Sequence, residues 1–469
     1  MNSSRIGRSR TNNDGRRIER RTFLSVVGAG GAALLTRGLN AEQRTLARKP
    51  NVIIIVADDL GYADVGFNGC TDIPTPNLDS LAQNGVRFAE GYVTCPICSP
   101  SRAGLLTGRY QQRFGHEFNP SLETEAEAFG LPLDQITIAA MLKNAGYATG
   151  MVGKWHLGLK PEYHPLRRGF QEFYGFLQGA HSYMNLHKTD RYPILRGTEP
   201  IDEPDYLTDA FTREAVAFID RHSTDPFFLY LTYNAPHTPM QAPEKYLDRF
   251  PNIAETKRRT YAAMLSAMDD GIGAVLRKLR DNGLDQDTMI FFFSDNGGPI
   301  YVNSSSNLPL NGAKGTVYEG GIRVPFLFQW QRRLPRGTVY KNPVSTLDIF
   351  ATVAAAAGAE VPRDRKMDGV NLMPYLLGWK RTQPHEILFW RVGDMNAVRK
   401  GNWKLARKGN ALVFLFDLAT DMGEQKNLAK ERPDILRELN AAFKAWDAEL
   451  VPPLWFPAPP KPAPSAPAP

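Results

Sequence analysis

Cysteine is almost missing from this chain: Cys70, Cys95 and Cys98 are the only three in 469 residues. So few, and an odd number, exclude a disulfide scaffold. Long hydrophobic runs are missing as well. The most apolar N-terminal stretch, Val26 to Leu35, is too short for a bilayer span, and no other segment is longer and equally apolar, so no stable membrane span is expected. An excess of one charge is also lacking once the first residues are set aside. The net charge is +7, but eight arginines before residue 42 face only Asp14 and Glu19, so that stretch alone carries +6 and the remainder +1. A basic nucleic-acid face is therefore not indicated, and no nucleic-acid partner is expected.

What is present is ordinary for a globular protein: 42% hydrophobic and 22% charged residues. The length suits one large α/β unit with a smaller one attached. Residues 1–41 read as a targeting segment, because Arg20-Arg21-Thr22-Phe23-Leu24 precedes the Gly/Ala-rich apolar run and Leu39-Asn40-Ala41 offers a cleavage site. The pattern resembles a bacterial twin-arginine export signal, which implies the twin-arginine export machinery as a partner and a periplasmic or secreted protein.

Strands and helices alternate through the body of the chain, as βαβ units require. Asn51 to Ala57 is a β-branched apolar run ending in Asp58-Asp59, and Thr288 to Phe293 is a second, ending in Ser294-Asp295-Asn296. Both read as buried parallel strands whose carboxyl ends open on the crevice where α/β sheets bind ligands. Asp58, Asp59, Asp295 and Asn296 offer only oxygen, which favours calcium or magnesium over zinc or copper; solvated strand-end turns are the plainer alternative. Two further strands, Tyr147 to Val152 and Phe227 to Tyr233, lead to Lys154 with His156 and to His237. Helices are expected from Leu131 to Gly146, Leu207 to His222, Arg259 to Arg280 and Asp348 to Ala357, and loops from Lys160 to Pro204. Within those loops His181, Tyr183, Asn185 and His187 are candidates to shape a pocket.

Cys98-Ser99-Pro100-Ser101-Arg102 reads as a helix entry, with Pro100 suited to the first helical position and Cys98 just outside it. A nucleophile-capable residue there meets free N–H groups, the helix dipole and the Arg102 guanidinium, an arrangement aimed at an anion. Cys95-Pro96-Ile97-Cys98 is also a C-x-x-C, compatible with a redox pair or half a zinc site, although Cys70 cannot complete four thiolates.

The unbroken string Cys98 to Arg109 (Cys-x-Pro-Ser-Arg, then Leu-Leu-Thr-Gly-Arg) resembles the signature of the type I, formylglycine-dependent sulfatases, arylsulfatase-like members of the alkaline phosphatase superfamily. Gly153-Lys154-Trp155-His156-Leu157-Gly158, Pro236-His237-Thr238-Pro239 and Lys314 to Pro325 are similar to further blocks of that family, in order, across roughly residues 50–430. The resemblance implies an alkaline-phosphatase-like fold: a large mixed, mostly parallel sheet flanked by helices, plus a small C-terminal α+β domain with an antiparallel sheet. It implies a sulfuric ester hydrolase in which Cys98 becomes formylglycine through a formylglycine-generating enzyme. It places calcium, or magnesium, on Asp58, Asp59, Cys98, Asp295 and Asn296, and gives catalytic work to Cys98, Arg102, Lys154, His156, His237 and Lys314. A sulfated small molecule or glycan is the implied substrate. The expected boundaries are 1–41 for the signal, 48–380 for the catalytic domain, 381–451 for the C-terminal subdomain and 452–469 for a Pro/Ala-rich, extended or disordered tail. A phosphonate or phosphate ester hydrolase of the same superfamily, and a silent binder of sulfated glycans with unmodified Cys98, are the alternatives.

Overall fold

The computed structural model describes residues 49–120, 129–409 and 411–456; the targeting segment and most of the C-terminal tail lie outside the described residues. Its frame is a ten-stranded mixed sheet built from β1 (Asn51–Ala57), β2 (Val86–Phe88), β4 (Ala148–Lys154), β5 (Glu172–Phe176), β6 (Ile194–Arg196), β7 (Glu199–Ile201), β8 (Phe227–Thr232), β9 (Thr288–Ser294), β10 (Phe326–Gln329) and β11 (Thr338–Tyr340). The order is β11-β2-β10-β9-β1-β8-β4-β5-β6-β7, and the central five, β9-β1-β8-β4-β5, are all parallel. Antiparallel pairing enters only on the flanks, at β9-β10, β10-β2, β5-β6 and β6-β7. A separate short pair, β3 (Gly91–Tyr92) and β12 (Val344–Ser345), lies beside it.

The β1 sequence explains its central place. Every residue is buried, and alternate side chains feed different cores: Val52, Ile54 and Val56 on one face, Ile53, Ile55 and Ala57 on the other. The first face is covered by the helices Cys98–Thr107, Ile138–Asn144 and Asp348–Ala357, the second by Leu207–Arg221 and Thr256–Asp281. The C-terminal strands β13 (Ile387–Val392), β14 (Met395–Lys400), β15 (Trp403–Lys408) and β16 (Leu412–Asp417) form an antiparallel meander. Leu388, Trp390 and Ala397 join the first core, whereas Val398, Leu405 and Leu415 pack on Leu439, Phe443 and Trp446 of the helix Pro433–Asp447.

Two expectations change. Lys160 to Pro204 is not all loop: it contains β5, a member of the parallel core, and the hairpin β6-β7. Gly175 interrupts β5 in a pattern reading, and a glycine is required there. Gly175 has φ 150°, and a Cβ on it would lie 2.0 Å from the Gly153 carbonyl oxygen on β4. The helix expected from Leu131 starts only at Ile138, because Thr137 caps it by accepting the Ala140 N–H at 3.1 Å. Of the tail, residues 452–456 are described and have no regular secondary structure; Trp455 is 5% exposed and stacks on Phe129.

Candidate active site

Strand register assembles the site. Ala57 pairs with Ser294, Val56 with Thr232, and Thr232 with Gly153, so four parallel strands end at one level. The next residues, Asp58-Asp59, Asp295-Asn296, the Asn234–His237 turn and Lys154, emerge together at the carboxyl edge. Close strand packing there demands glycine: Gly153 has φ 116°, and a Cβ would come 1.9 Å from the Thr232 carbonyl oxygen. The helix Cys98–Thr107 points its N-terminus at this edge and begins at Cys98 itself, two residues earlier than Pro100 suggests. Pro100 thus sits within the first turn, where its missing N–H costs nothing.

The side chains converge on Cys98, which is 1% exposed. Lys314 Nζ lies 3.2 Å from Cys98 Sγ and 2.6 Å from Asp59 Oδ1, and Lys154 Nζ lies 2.6 Å from Asp58 Oδ2. Cys98 Sγ is 3.6 Å from Asp58 Oδ1. Arg102 donates from Nε to Asp295 Oδ2 at 2.9 Å and from Nη1 to the Lys154 carbonyl at 3.0 Å. Asn296 donates to Asp59 Oδ1 at 2.7 Å, and His237 Nε2 stands 3.5 Å from Asp59 Oδ2. Nearly all of this is sealed from solvent; Lys314 and His237 are the more open members. His156 reaches the site with φ 60°, a left-handed conformation, and with its N–H held by the Leu177 carbonyl at 3.1 Å.

The electrostatics follow from burial and from this packing of opposite charges. Burial pushes the Cys98 thiol up to about 12 against the pull of Lys154 and Lys314, so the sulfur is protonated and a poor nucleophile at neutral pH. Burial also works against ionisation of Asp58, but Lys154, then His237, outweigh it and hold its pKa below the ordinary carboxylate value. His156 is driven well below the usual imidazole range by burial first and by Lys154, Arg102 and Lys314 next, so it is neutral. Burial opposes the charge on Lys314, yet Cys98, Asp59, Asp58 and Asp295 raise its pKa well above the lysine norm.

The residues form a candidate site for a metal ion. Ligand atoms of Asp58, Asp59, Cys98 and His237 lie within 4.8 Å of one another, the one such group among the described residues. Asn296 Oδ1 is buried with no hydrogen-bond partner, an acceptor left over after Nδ2 is committed to Asp59. Asp295 gives Oδ2 to Arg102, and its Oδ1 faces the Asp59 N–H at 3.4 Å.

All ten residues expected at the site therefore meet there. The four loop candidates divide. Tyr183 is fully buried and donates to the carbonyls of Asn234 and His237 at 2.6 and 2.7 Å, which anchors the His237 turn. His181 bonds the Ser182 and Tyr192 carbonyls, Asn185 occupies a left-handed turn with φ 57°, and His187 is exposed. Sequence reading missed Asn303, which donates to the carbonyls of Asp59 and Pro236, and Asn307, which holds Tyr62 and both polar groups of Gly298. Both lie in the run Asn303-Ser304-Ser305-Ser306-Asn307, where nothing separates them from surface polar residues.

Comparison with known proteins agrees with this geometry. Residues 50–359 match the profile of the Sulfatase family. Arylsulfatase J of Mus musculus is 32% identical, covering 88% of this chain and 78% of its own length; N-acetylgalactosamine-6-sulfatase of Sus scrofa is 34% identical, covering 86% and 87%. Among solved structures, that of Ps i-CgsB in complex with k-i-k-neocarrahexaose superposes with TM-score 0.82 at 39% identity, over 87% of this chain and 95% of that one. The chain belongs to the sulfatase family of the alkaline phosphatase superfamily, as a sulfuric ester hydrolase.

Proposed function

We propose that the protein removes sulfate from carbohydrate sulfate monoesters, with residue 98 converted from cysteine to formylglycine and calcium held by Asp58, Asp59, Asp295, Asn296 and residue 98. The observation that carries this reading is the meeting of Lys154, Lys314 and Arg102 with two acidic strand ends on one buried side chain. A sulfate monoester is already anionic and repels a nucleophile, so the site must supply positive charge before attack. The protonated Cys98 thiol does not meet that need, whereas a hydrated aldehyde at the same position offers one hydroxyl to attack sulfur and a second whose deprotonation releases sulfate. The cation, when bound, stabilises negative charge and favours the ionised form of that hydroxyl.

The chain's own groups do the rest. Lys314 and Lys154 bind and neutralise the sulfate oxygens, and Arg102 fixes Asp295 while adding its own charge to the field. His237 or Lys314, the more open groups, protonates the departing sugar oxygen, and the neutral His156 takes the proton from the second hydroxyl. Small aryl sulfates serve as artificial substrates. The carbohydrate assignment is supported by the neocarrahexaose held by the 39%-identical relative. Residues 1–41 direct twin-arginine export of the folded, modified protein to the periplasm or beyond. The meander after about residue 381 forms the C-terminal subdomain. No helix among the described residues is long and apolar enough to cross a membrane.

The test is a panel of defined sulfated mono- and oligosaccharides, neocarrahexaose included, with protein co-expressed with a formylglycine-generating enzyme. Inorganic sulfate release from at least one saccharide is expected. Hydrolysis confined to phosphate or phosphonate esters would overturn the reading.

A further inference from the structure

One buried polar chain beside the site has no part in the chemistry above. Ser99, the neighbour of Cys98, is fully buried. Its hydroxyl lies 2.6 Å from the His156 carbonyl and 2.7 Å from His116 Nε2. A carbonyl can only accept, so the Ser99 proton goes to His156 and the Ser99 oxygen must accept from His116. In that arrangement His116 carries a proton on Nε2. His116 is 0% exposed, and burial drives its pKa down to about 3 against a backbone hydrogen bond with Gly130 that raises it.

The cover over His116 comes from far along the chain. After the helix Pro433–Asp447 the backbone turns back, with Val451 N–H bonded to the Gln112 carbonyl at 3.3 Å and Leu454 N–H to the Gly115 carbonyl at 2.9 Å. Trp455 then sets its ring edge-on to His116, 4.7 Å between centroids, and donates from Nε1 to the Phe118 carbonyl at 3.2 Å. The strap leaves His116 no room to turn away from Ser99.

His156 is the residue that needs such support. Its left-handed backbone is unfavourable for a side chain with a Cβ and persists only where neighbours impose it. Leu177 holds its N–H, and among the described residues the only hydrogen bond to its C=O is the one from Ser99. Its ring lies so close to Gly179 that a Cβ there would approach Nε2 to 2.6 Å, so the imidazole has one place to sit.

We infer that His116 is a positioning residue for sulfate ester hydrolysis: by donating to Ser99 it orients the hydroxyl that pins the His156 carbonyl, and so holds the His156 imidazole in its place beside Gly179. The inference rests on the role given to His156 above. It predicts a loss in turnover more than in substrate binding, because His156 acts after sulfate is bound. Misplacing a reacting group by about 1 Å costs on the order of a hundredfold. Loss of this one constraint should therefore lower kcat by about ten- to a hundredfold.

The experiment compares His116→Phe, Ser99→Ala, the double variant, His116→Gln and His156→Ala. Each is assayed for kcat and KM on an aryl sulfate, with rates expressed per formylglycine counted by mass spectrometry. His116→Phe and Ser99→Ala should each lose about ten- to a hundredfold in kcat with KM within about twofold. The double variant should be no worse than the weaker single, since both cut the same link. His116→Gln, whose amide N–H can replace Nε2–H, should recover most of the loss. Additive losses, or full kcat in His116→Phe with only a lower unfolding midpoint, would overturn the inference. If His156→Ala keeps its kcat, the role of His156 itself fails. If His156→Ala is inactive while His116→Phe is not, only the positioning role fails. Should His116→Phe not fold, Ser99→Ala and His116→Gln still decide the matter.

Discussion

Lys314→Ala is the sharpest perturbation of the proposed chemistry. The Lys314 ammonium is 3.2 Å from the side chain at position 98, and by the proposed chemistry it faces the charge that builds up on the sulfate attacked there. Two unit charges about 4 Å apart interact by about 4 kcal/mol at an effective dielectric of about 20. Removal of one fixed donor from an oxyanion site costs about 2.7–4 kcal/mol, or on the order of 10²–10³ in kcat. The two figures agree, and a kcat loss of that size is expected for Lys314→Ala. Lys314→Arg keeps the charge on a planar, longer fork and should fall between. Folding should survive, because Asp59 retains Asn296 at 2.7 Å and His237 at 3.5 Å. The assay is steady-state hydrolysis of an aryl sulfate by protein whose formylglycine and divalent ion contents match those of the parent. A loss below about tenfold in such matched protein would refute the argument that Lys314 stabilises the transition state.

Other outcomes are set by the same structure. Lys404 is fully buried between Glu319 and Glu424, 2.9 Å from each, so Lys404→Met should cost about 3–5 kcal/mol in urea unfolding, and adding Glu424→Gln should restore part of it. An unchanged urea midpoint in Lys404→Met would contradict this. His385 lies 2.8 Å from Asp348; burial lowers its pKa, but the Asp348 carboxylate outweighs burial and the net shift is upward. The sign then requires that its stabilisation be complete below the unfolded value of about 6.5 and fade as pH rises through the raised native value. The gap in unfolding free energy between parent and His385→Gln should thus be wider near pH 5.5 than near pH 9, as approximate working points; the reverse order would sink the assignment. Cys95→Ala should keep its turnover, since Cys95 is a buried thiol whose pKa burial raises far beyond neutrality; loss of activity in correctly modified Cys95→Ala would revive a redox pair.

Much of this was legible in the sequence because strand ends and chemistry coincide. The all-apolar runs 52–57 and 289–293 read as buried strands, and each gives way at its carboxyl end to oxygen-bearing side chains, so Asp58, Asp59, Asp295 and Asn296 stand out without coordinates. Lys154 and His237 come after strands in the same way, and Lys314 was reached through family resemblance. The lost parts have physical causes. The glycine that lets β5 approach β4 removes one of the few side chains by which so short a strand is recognised. Ser99, His116 and Trp455 are brought together across 356 residues, a contact that no local spacing encodes. Tyr92, Glu319, Arg399 and Lys404 form a buried polar cluster from four separate elements, and each alone reads as surface.

The central claim is that an oxidised side chain at position 98 performs the hydrolysis. Mass spectrometry of the peptide containing residue 98, from active protein, tests it most directly when paired with sulfate release by the same preparation. The expected mass is that of an aldehyde or its hydrate, with turnover proportional to the modified fraction across preparations and none for Cys98→Ala. An intact thiol throughout a preparation that turns over sulfate esters would contradict the account.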